Sequence, residues 1–429
     1  MLIHQFRELF SNRFLQNVGW LGAAELINRV FRLGTTVTLA RLFTTQDYGL
    51  MAILYTAFDF ATVFTLRGGI GAKLIQADKQ DVDILADTAF WINVILCGFV
   101  FVIQCAIAFP IAQFYNNQQL VLPLCVAASV YLMSPFYIVH SALIERENRL
   151  KVIALCTAVH SILNNLAIVA FTLLGWGIWA IVWAMVLTTP IWIVITWRNQ
   201  AWRPPRRFQL EQWQNIVNFG KNLLGVELLN KLRGNFDYLV VGRFLGVEAL
   251  GLYYFAFNAG LGISMNVINT FMSALYPHIC EVRHQYDQFR QRYYQSLKKV
   301  AIIAIPLILI QSLLASFYVP IIFGERWVPA IPILIMICLS VIPRIFSWAT
   351  YLLLNAIDKT HITLYVDIGF TVIFAASILI AVQVDLYWVA AAVLFSHLII
   401  LPIFAVLGNR YGLTERLHFS SLDPVHPPR

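Results

Sequence analysis

Apolar residues dominate this chain in long blocks, and the pattern along them predicts twelve membrane-crossing helices. The blocks fall at 15–40, 48–66, 86–109, 120–142, 152–174, 176–197, 216–242, 249–275, 299–319, 328–354, 362–383 and 386–407. About 20 apolar residues cross the hydrocarbon of a bilayer. The segment from Val152 to Trp197 has no Asp, Glu, Lys or Arg in 46 residues, enough for two crossings by itself. Three blocks are less regular. Charges interrupt the first and seventh, and Pro329, Pro332 and Pro343 interrupt the tenth. Ahead of the first block, Leu2, Ile3, Phe6, Leu9, Phe10 and Phe14 recur at helical spacing, with His4, Arg7 and Arg13 elsewhere. Residues 1–14 therefore read as a short interfacial amphipathic helix, not as a cleavable signal peptide.

Composition agrees: 59% of residues are hydrophobic and 12% charged, where a soluble domain has about a quarter charged. The fold class is an all-α polytopic membrane protein. Loop charges orient it. Loops on one side, including the tail 408–429, carry 21 of the 30 Lys and Arg, and the opposite loops carry Arg41, Arg243 and Arg326. Positive loops stay in the cytoplasm, so both termini are expected there. The net charge of +8 is mostly this topology signal, and nucleic acid is not an expected partner. The basic stretch 198–213, with Arg203-Pro204-Pro205-Arg206-Arg207, reads as a cytoplasmic linker between a first lobe, 15–197, and a second, 214–407.

The two lobes repeat one another. Glu25-Leu26-Ile27-Asn28-Arg29 recurs 202 residues later as Glu227-Leu228-Leu229-Asn230-Lys231, and the same offset carries Arg41, Gly49 and Leu50 onto Arg243, Gly251 and Leu252. That makes six identities in 26 positions. Six spans separate the copies, so the repeat is parallel, two sets of six helices inserted the same way up. Both copies put an acid, an amide and a base into an apolar helix, where charge is costly and tends to be functional. On the first helix Glu25, Arg29, Arg32 and Thr36 form one stripe with Asn28 at its edge. On the seventh, Glu227, Asn230 and Lys231 match, Asp237 lies further round, and Arg233 falls on another face. One reading is a water-filled cavity whose bases hold an anionic head group. The other is internal neutralisation, since Glu25–Arg29 and Glu227–Lys231 are opposite charges four residues apart. Asp59, Arg344 and Asp367 are further intramembrane charges; each is a candidate for proton or sodium coupling or a satisfied buried charge.

Other signals are weaker. His160 and His397 read as hydrogen-bonded core histidines, and Asn164 and Asn165 as links between helices. The six scattered cysteines have no metal or disulfide spacing. Asp81-Val82-Asp83 sits in a charged loop with no nucleotide-binding domain around it. Gly68-Gly69-Ile70-Gly71-Ala72-Lys73 lacks the phosphate-loop spacing and reads as tight packing at a span end. No cofactor and no metal are expected.

Several stretches resemble a known family. Arg41-Leu42-Phe43-Thr44-Thr45-Gln46-Asp47-Tyr48-Gly49-Leu50 is similar to the signature after the first helix of polysaccharide exporters, and Gly69-Ile70-Gly71-Ala72-Lys73-Leu74-Ile75-Gln76 to the one after their second. Asp237-Tyr238-Leu239-Val240-Val241-Gly242-Arg243-Phe244-Leu245-Gly246, Gly251-Leu252-Tyr253 and Tyr276-Pro277 resemble the second-half signatures. Lys73 departs from the pattern, which has a small or apolar residue there. The chain thus resembles the Wzx-like polysaccharide branch of the multidrug/oligosaccharidyl-lipid/polysaccharide exporter superfamily. The resemblance implies a V-shaped two-lobe transporter of about 12 transmembrane helices. It also implies flipping of an undecaprenyl-diphosphate-linked oligosaccharide across the bacterial inner membrane, with no catalytic residues. Partners that follow are the lipid bilayer, the lipid-diphosphate-linked oligosaccharide, H+ or Na+ as coupling ion, and a polysaccharide polymerase or export machinery. Two rivals make different demands. A small-cation multidrug exporter calls for an acidic cavity, whereas the first and seventh helices together are net +1. A membrane glycosyltransferase or polymerase calls for a large outward loop, and the outward loops here are short.

Overall fold

The computed structural model describes residues 13–208, 210–211 and 213–414. The surface helix expected over 1–14 lies outside them except for Arg13 and Phe14, as does the tail beyond 414. Among the described residues every regular element is helical. Eight helical segments are long and apolar enough to cross a membrane, and a bent pair makes a ninth. Three further long helices, of 30, 32 and 34 residues, fill the remaining positions of the expected twelve. The protein is a multi-pass, all-α membrane protein. Its lipid-facing belt is plain in side chains such as Leu313 and Ile380, 75% and 73% exposed, a degree of apolar exposure that hydrocarbon accommodates.

The chain divides into two compact units, residues 1–235 and 236–429. Unit 1 holds α1 (Arg13–Leu42), α2 (Thr45–Val63), α3 (Arg67–Gln76), α4 (Val82–Phe114), α5 (Val121–Met133), α6 (Pro135–Arg146), α7 (Leu150–Leu173), α8 (Ile178–Thr188), α9 (Pro190–Asn199) and most of α10 (Trp213–Phe244). The division falls inside α10, and the 198–213 segment packs on unit 1. Trp91 Nε1 donates to Arg207 O at 2.9 Å, Thr88 Oγ1 to Glu211 O at 2.7 Å, and Trp202 Nε1 to Asp87 Oδ1 at 3.0 Å.

The second, fourth and sixth expected crossings are interrupted, the sixth only at Thr189 between α8 and α9, and the first two of these breaks meet at the site. The second, read as continuous over 48–66, is α2 followed by a tight turn and α3, with Leu66 in the left-handed region at φ 51°. The glycine-rich stretch expected at a span end is therefore α3 itself. The fourth bends by 47° between α5 and α6, where Pro135 lacks the N–H that would continue α5. Buried residues of α3, α4 and α6, among them Ile70, Leu74, Phe90 and Val139, form one core with Ile216 of α10. Along α7, Asn28 of α1 accepts from Ser161 Oγ at 2.6 Å, and Asn165 Nδ2 donates to Ser161 O at 2.8 Å.

Unit 2 holds α11 (Val247–Cys280), α12 (Tyr286–Leu313), α13 (Ile331–Ala356), α14 (Thr360–Ala381) and α15 (Leu386–Thr414). Pro329 and Pro332 lie in the lead-in and first turn of α13, where a missing N–H costs nothing. Pro343 is tolerated within the helix. The buried α13 packs along α11, α12 and α15. Gly408 permits the α13–α15 approach: a Cβ there would come 2.5 Å from Thr350 Cγ2.

Candidate functional site

The site is built at the breaks in the second and fourth crossings of unit 1. Between α2 and α3 the turn is closed by Phe64 N to Ala61 O and Thr65 N to Thr62 O, both 3.1 Å. The buried Thr65 carbonyl, left without a helical partner at the turn, is taken up by Nδ2 of the fully buried Asn93, at 2.8 Å. Beside it, Ser134 at the α5–α6 bend turns its hydroxyl back to Val130 O at 3.1 Å. A cavity of about 410 Å³ opens between these breaks. Its walls include Thr62, Arg67 and Gly68 from the first break, Tyr131, Ser134 and Tyr137 from the second, and Glu227 and Lys231 from α10.

Two cations face this space. Lys231 Nζ donates to Asp59 Oδ2 of α2 at 2.8 Å, with both side chains partly exposed (38% and 49%). The pair is therefore wet, and its net contribution to stability is about 0–1 kcal/mol. Arg67 is held differently. Its guanidinium lies 5.8 Å from the Tyr137 ring and 5.7 Å from the Trp192 ring, an attraction worth about 0.5–1 kcal/mol when exposed. The Glu145 carboxylate of α6 is its electrostatic neighbour. Arg67 opens α3, a helix whose N-cap, Leu66, offers no side-chain acceptor. Unsatisfied N–H groups and a guanidinium at one helix N-terminus both favour an anion. The arrangement is a hydroxyl-lined recess at the turns of two broken helices, where Arg67 and Lys231 are set against Glu227 and Asp59.

The expected site residues separate into groups. Asp59, Glu227 and Lys231 come together at the cavity. The internal pairing expected of Lys231 with Glu227 gives way to the bond with Asp59 on another helix. In the first copy internal neutralisation holds: Arg29 Nε bonds Glu25 Oε1 at 3.1 Å. Arg32 is exposed on α1, and its carbonyl accepts from Thr36 Oγ1 at 2.8 Å. Asn28 serves the α1–α7 contact described above. Asn230 Oδ1 accepts from Arg233 Nη2 at 3.5 Å. Asp237 is buried in unit 2, where Tyr253 Oη donates to it at 2.7 Å and Arg344 is an electrostatic neighbour. Asp367 lies on α14 and its carbonyl accepts from Thr371 Oγ1 at 2.6 Å. The core histidines are satisfied as expected: His160 meets Thr188 Oγ1 at 3.3 Å, and His397 meets Val393 O at 2.7 Å. All six cysteines are free. Sequence reasoning missed Arg67, which counted only as a loop charge, and Tyr131, Ser134 and Tyr137, which sit in an apolar run. The signal available was local: Thr65-Leu66-Arg67-Gly68-Gly69 interrupts a hydrophobic block with a base and two glycines.

Comparison with known proteins gives the family and the fold. Among curated proteins, the chain is 24% identical to the teichuronic acid biosynthesis protein TuaB of Bacillus subtilis, over 87% of its own length and 77% of that protein. It is 24% identical to the lipopolysaccharide biosynthesis protein WzxC of Escherichia coli, over 85% and 74%. Its fold is similar to that of an inward-facing multidrug resistance MATE family transporter of the MOP superfamily (TM-score 0.72, 13% identity, 92% of this chain and 96% of that one). It is also similar to the lipid II flippase MurJ in an inward closed conformation (TM-score 0.70, 12% identity, 93% and 89%). A family model described as polysaccharide biosynthesis protein matches residues 38–332, more than half of the sequence and across both breaks at the site, and the chain belongs to that family.

Proposed function

We propose that the protein flips a lipid-diphosphate-linked oligosaccharide across the bacterial inner membrane for surface polysaccharide synthesis. The observation that carries this reading is the cavity of unit 1, where Lys231 and Arg67 stand on hydroxyl-lined walls inside a membrane helix set. A diphosphate needs cations and donors, and it needs them away from hydrocarbon. The sugars need hydroxyl and aromatic partners, which Thr62, Ser134, Tyr131 and Tyr137 supply. Arg32 and Arg233 add positive charge along the two repeat helices, whereas Arg29 is neutralised by Glu25. The names of relatives support the cargo class: WzxC for lipopolysaccharide, and ExoT of Rhizobium meliloti for succinoglycan biosynthesis transport.

The finer reading has six-helix lobes at 15–197 and 214–407, the basic linker 198–213, and both termini in the cytoplasm. A coupling cation, H+ or Na+, acts at Asp59, where it competes with Lys231 for the carboxylate. Arrival of the diphosphate draws Lys231 away and frees Asp59 for that cation, so cargo and ion are linked through one ion pair.

The test is genetic and chemical together. Deletion of the gene abolishes one surface polymer and leaves its lipid-linked precursor accumulated and facing the cytoplasm. Normal polymer with loss of cationic-dye efflux would instead identify a drug exporter, and polymerising activity in the purified protein would identify an enzyme.

A further inference from the structure

A second built cavity, of about 550 Å³, lies in unit 2 between the start of α12 and the end of α15. We propose that it holds the phosphate-bearing headgroup of an anionic membrane phospholipid. This site is separate from the cavity of unit 1 and goes beyond the flipping reading.

The walls determine the chemistry. Arg290 and Arg410 line the cavity, together with Tyr286, Tyr294 and Asn409, and no Asp or Glu lines it. Asn409 is oriented by its neighbours. Its Oδ1 accepts from Tyr293 Oη at 2.8 Å and from Thr350 Oγ1 at 3.0 Å. Its Nδ2 is left as a donor with no protein acceptor among the described residues. Tyr286 Oη is committed to the Leu413 carbonyl, tying the two walls together. Behind Asn409, the close approach at Gly408 fixes α15 against α13. The recess is therefore rigid at the back and lined in front by the Arg290 and Arg410 guanidiniums, the Asn409 amide and the Tyr294 phenol, which matches a phosphodiester with several oxygens.

Depth selects a lipid over a soluble anion. Of the two apolar lining residues, Val406 still belongs to the hydrophobic run of α15, Asn409 and Arg410 follow within about one turn, and Leu413 lies one turn further on. That places the donors at headgroup level, with acyl-facing surface beside them, as tyrosines and arginines at a membrane interface do. The nearby bases Arg283, Lys298 and Lys299 raise the local concentration of anionic lipid, while Arg292 is taken up by Glu281 at 2.8 Å.

The experiment uses the purified full-length protein in detergent with added phosphatidylglycerol, phosphatidylcholine or inorganic phosphate, read by native mass spectrometry and thermal unfolding. Phosphatidylglycerol is expected to stay bound and to raise the midpoint; phosphatidylcholine and inorganic phosphate are not. R290Q/R410Q is expected to lose roughly tenfold or more in phosphatidylglycerol affinity, and R206Q/R207Q on the linker to lose little. If R290Q/R410Q cannot be purified, R290Q alone, at an exposed position, is expected to show a smaller loss in the same direction. Unchanged binding in the α12–α15 variants would overturn the site. Equal loss in the linker variant would do so too, by exposing a general charge effect, and stabilisation by inorganic phosphate at the level of phosphatidylglycerol would make the ligand a soluble anion.

Discussion

Lys231 Nζ lies 2.8 Å from Asp59 Oδ2, so the base of the second repeat copy binds an acid on α2 instead of the glutamate four residues before it. The first copy does the opposite, with Arg29 on Glu25 at 3.1 Å. The duplicated motif is thus used asymmetrically: one base is neutralised within its own helix, the other joins two helices at a cavity. Lys231→Met leaves Asp59 without its partner and removes a phosphate donor, and is expected to lower polymer export roughly tenfold or more. Because both ends of the pair are wet, a double-mutant cycle with Asp59→Asn on thermal stability should give a coupling of only about 0–1 kcal/mol. Wild-type export by the Lys231→Met protein at normal abundance would remove Lys231 from the mechanism.

Much of the fold was readable from apolarity because a membrane demands it of every crossing, whatever packs beside it. The breaks were not readable in the same way. Leu66 is not itself a turn-forming residue, so the only cue to its left-handed turn is the base and two glycines that follow it, and Pro135 follows an apolar run that scans as uninterrupted. The site was half legible. Charges in lipid drew attention to Asp59, Glu227 and Lys231, but partner choice is tertiary: on a helical wheel Glu227 is as good a partner for Lys231 as Asp59 proves to be in three dimensions. Asn28 shows the converse, a polar residue that matched the site pattern and instead joins α1 to α7 through Ser161.

The Arg67 guanidinium lies over the rings of Tyr137 and Trp192, 5.8 and 5.7 Å from their centroids. A lysine keeps the charge but loses planar stacking and the multiple donors of a guanidinium. Arg67→Lys is therefore expected to retain part of the export activity, and Arg67→Gln to retain less, with little change in unfolding temperature for either. Export by Arg67→Gln equal to that of the parent protein would show that the guanidinium only decorates the cavity.

Outside the membrane, the 147–149 turn is tied to the end of α9. Gln200 Nε2 donates to Glu147 Oε1 at 2.8 Å, Arg149 Nη1 to Glu147 Oε2 at 3.0 Å and to Asn199 O at 2.7 Å. Partial burial pushes the Glu147 carboxyl up, but the bonds from Gln200 and Arg149 outweigh it and hold the group below its ordinary value of 4.5. A depressed carboxylate stabilises the fold above that ordinary value, and the contribution fades as pH falls through the lowered one. Glu147→Gln should therefore be slightly less stable at neutral pH, by under about 1 kcal/mol given its exposure, and should converge with the parent protein at low pH. Thermal unfolding from pH 7 down to pH 3 checks this; a constant gap across that range would mean that the charge is irrelevant.

The two repeat copies also start their second helices by different means, and this makes the family signature physically testable. Thr44 caps α2 with a full capping box: its hydroxyl accepts from Asp47 N at 3.1 Å, while Thr44 N donates to Asp47 Oδ2 at 2.9 Å. At the equivalent place before α11 stands Gly246, with φ 89° and ψ 172° and no side-chain cap. That backbone region is open essentially to glycine alone. Thr44→Ala should cost about 0.5–2 kcal/mol, with Thr44→Ser close to neutral. Gly246→Ala should cost about 1–3 kcal/mol from backbone strain. Exchanging the devices discriminates further. Thr44→Gly gives up the cap but meets no strain and should cost less than Thr44→Ala, whereas Gly246→Thr incurs the strain and finds no aspartate three residues on, because position 249 is Ala. Equal stability of the Gly246→Thr protein and its parent would show that the second half can adopt the capped start of the first.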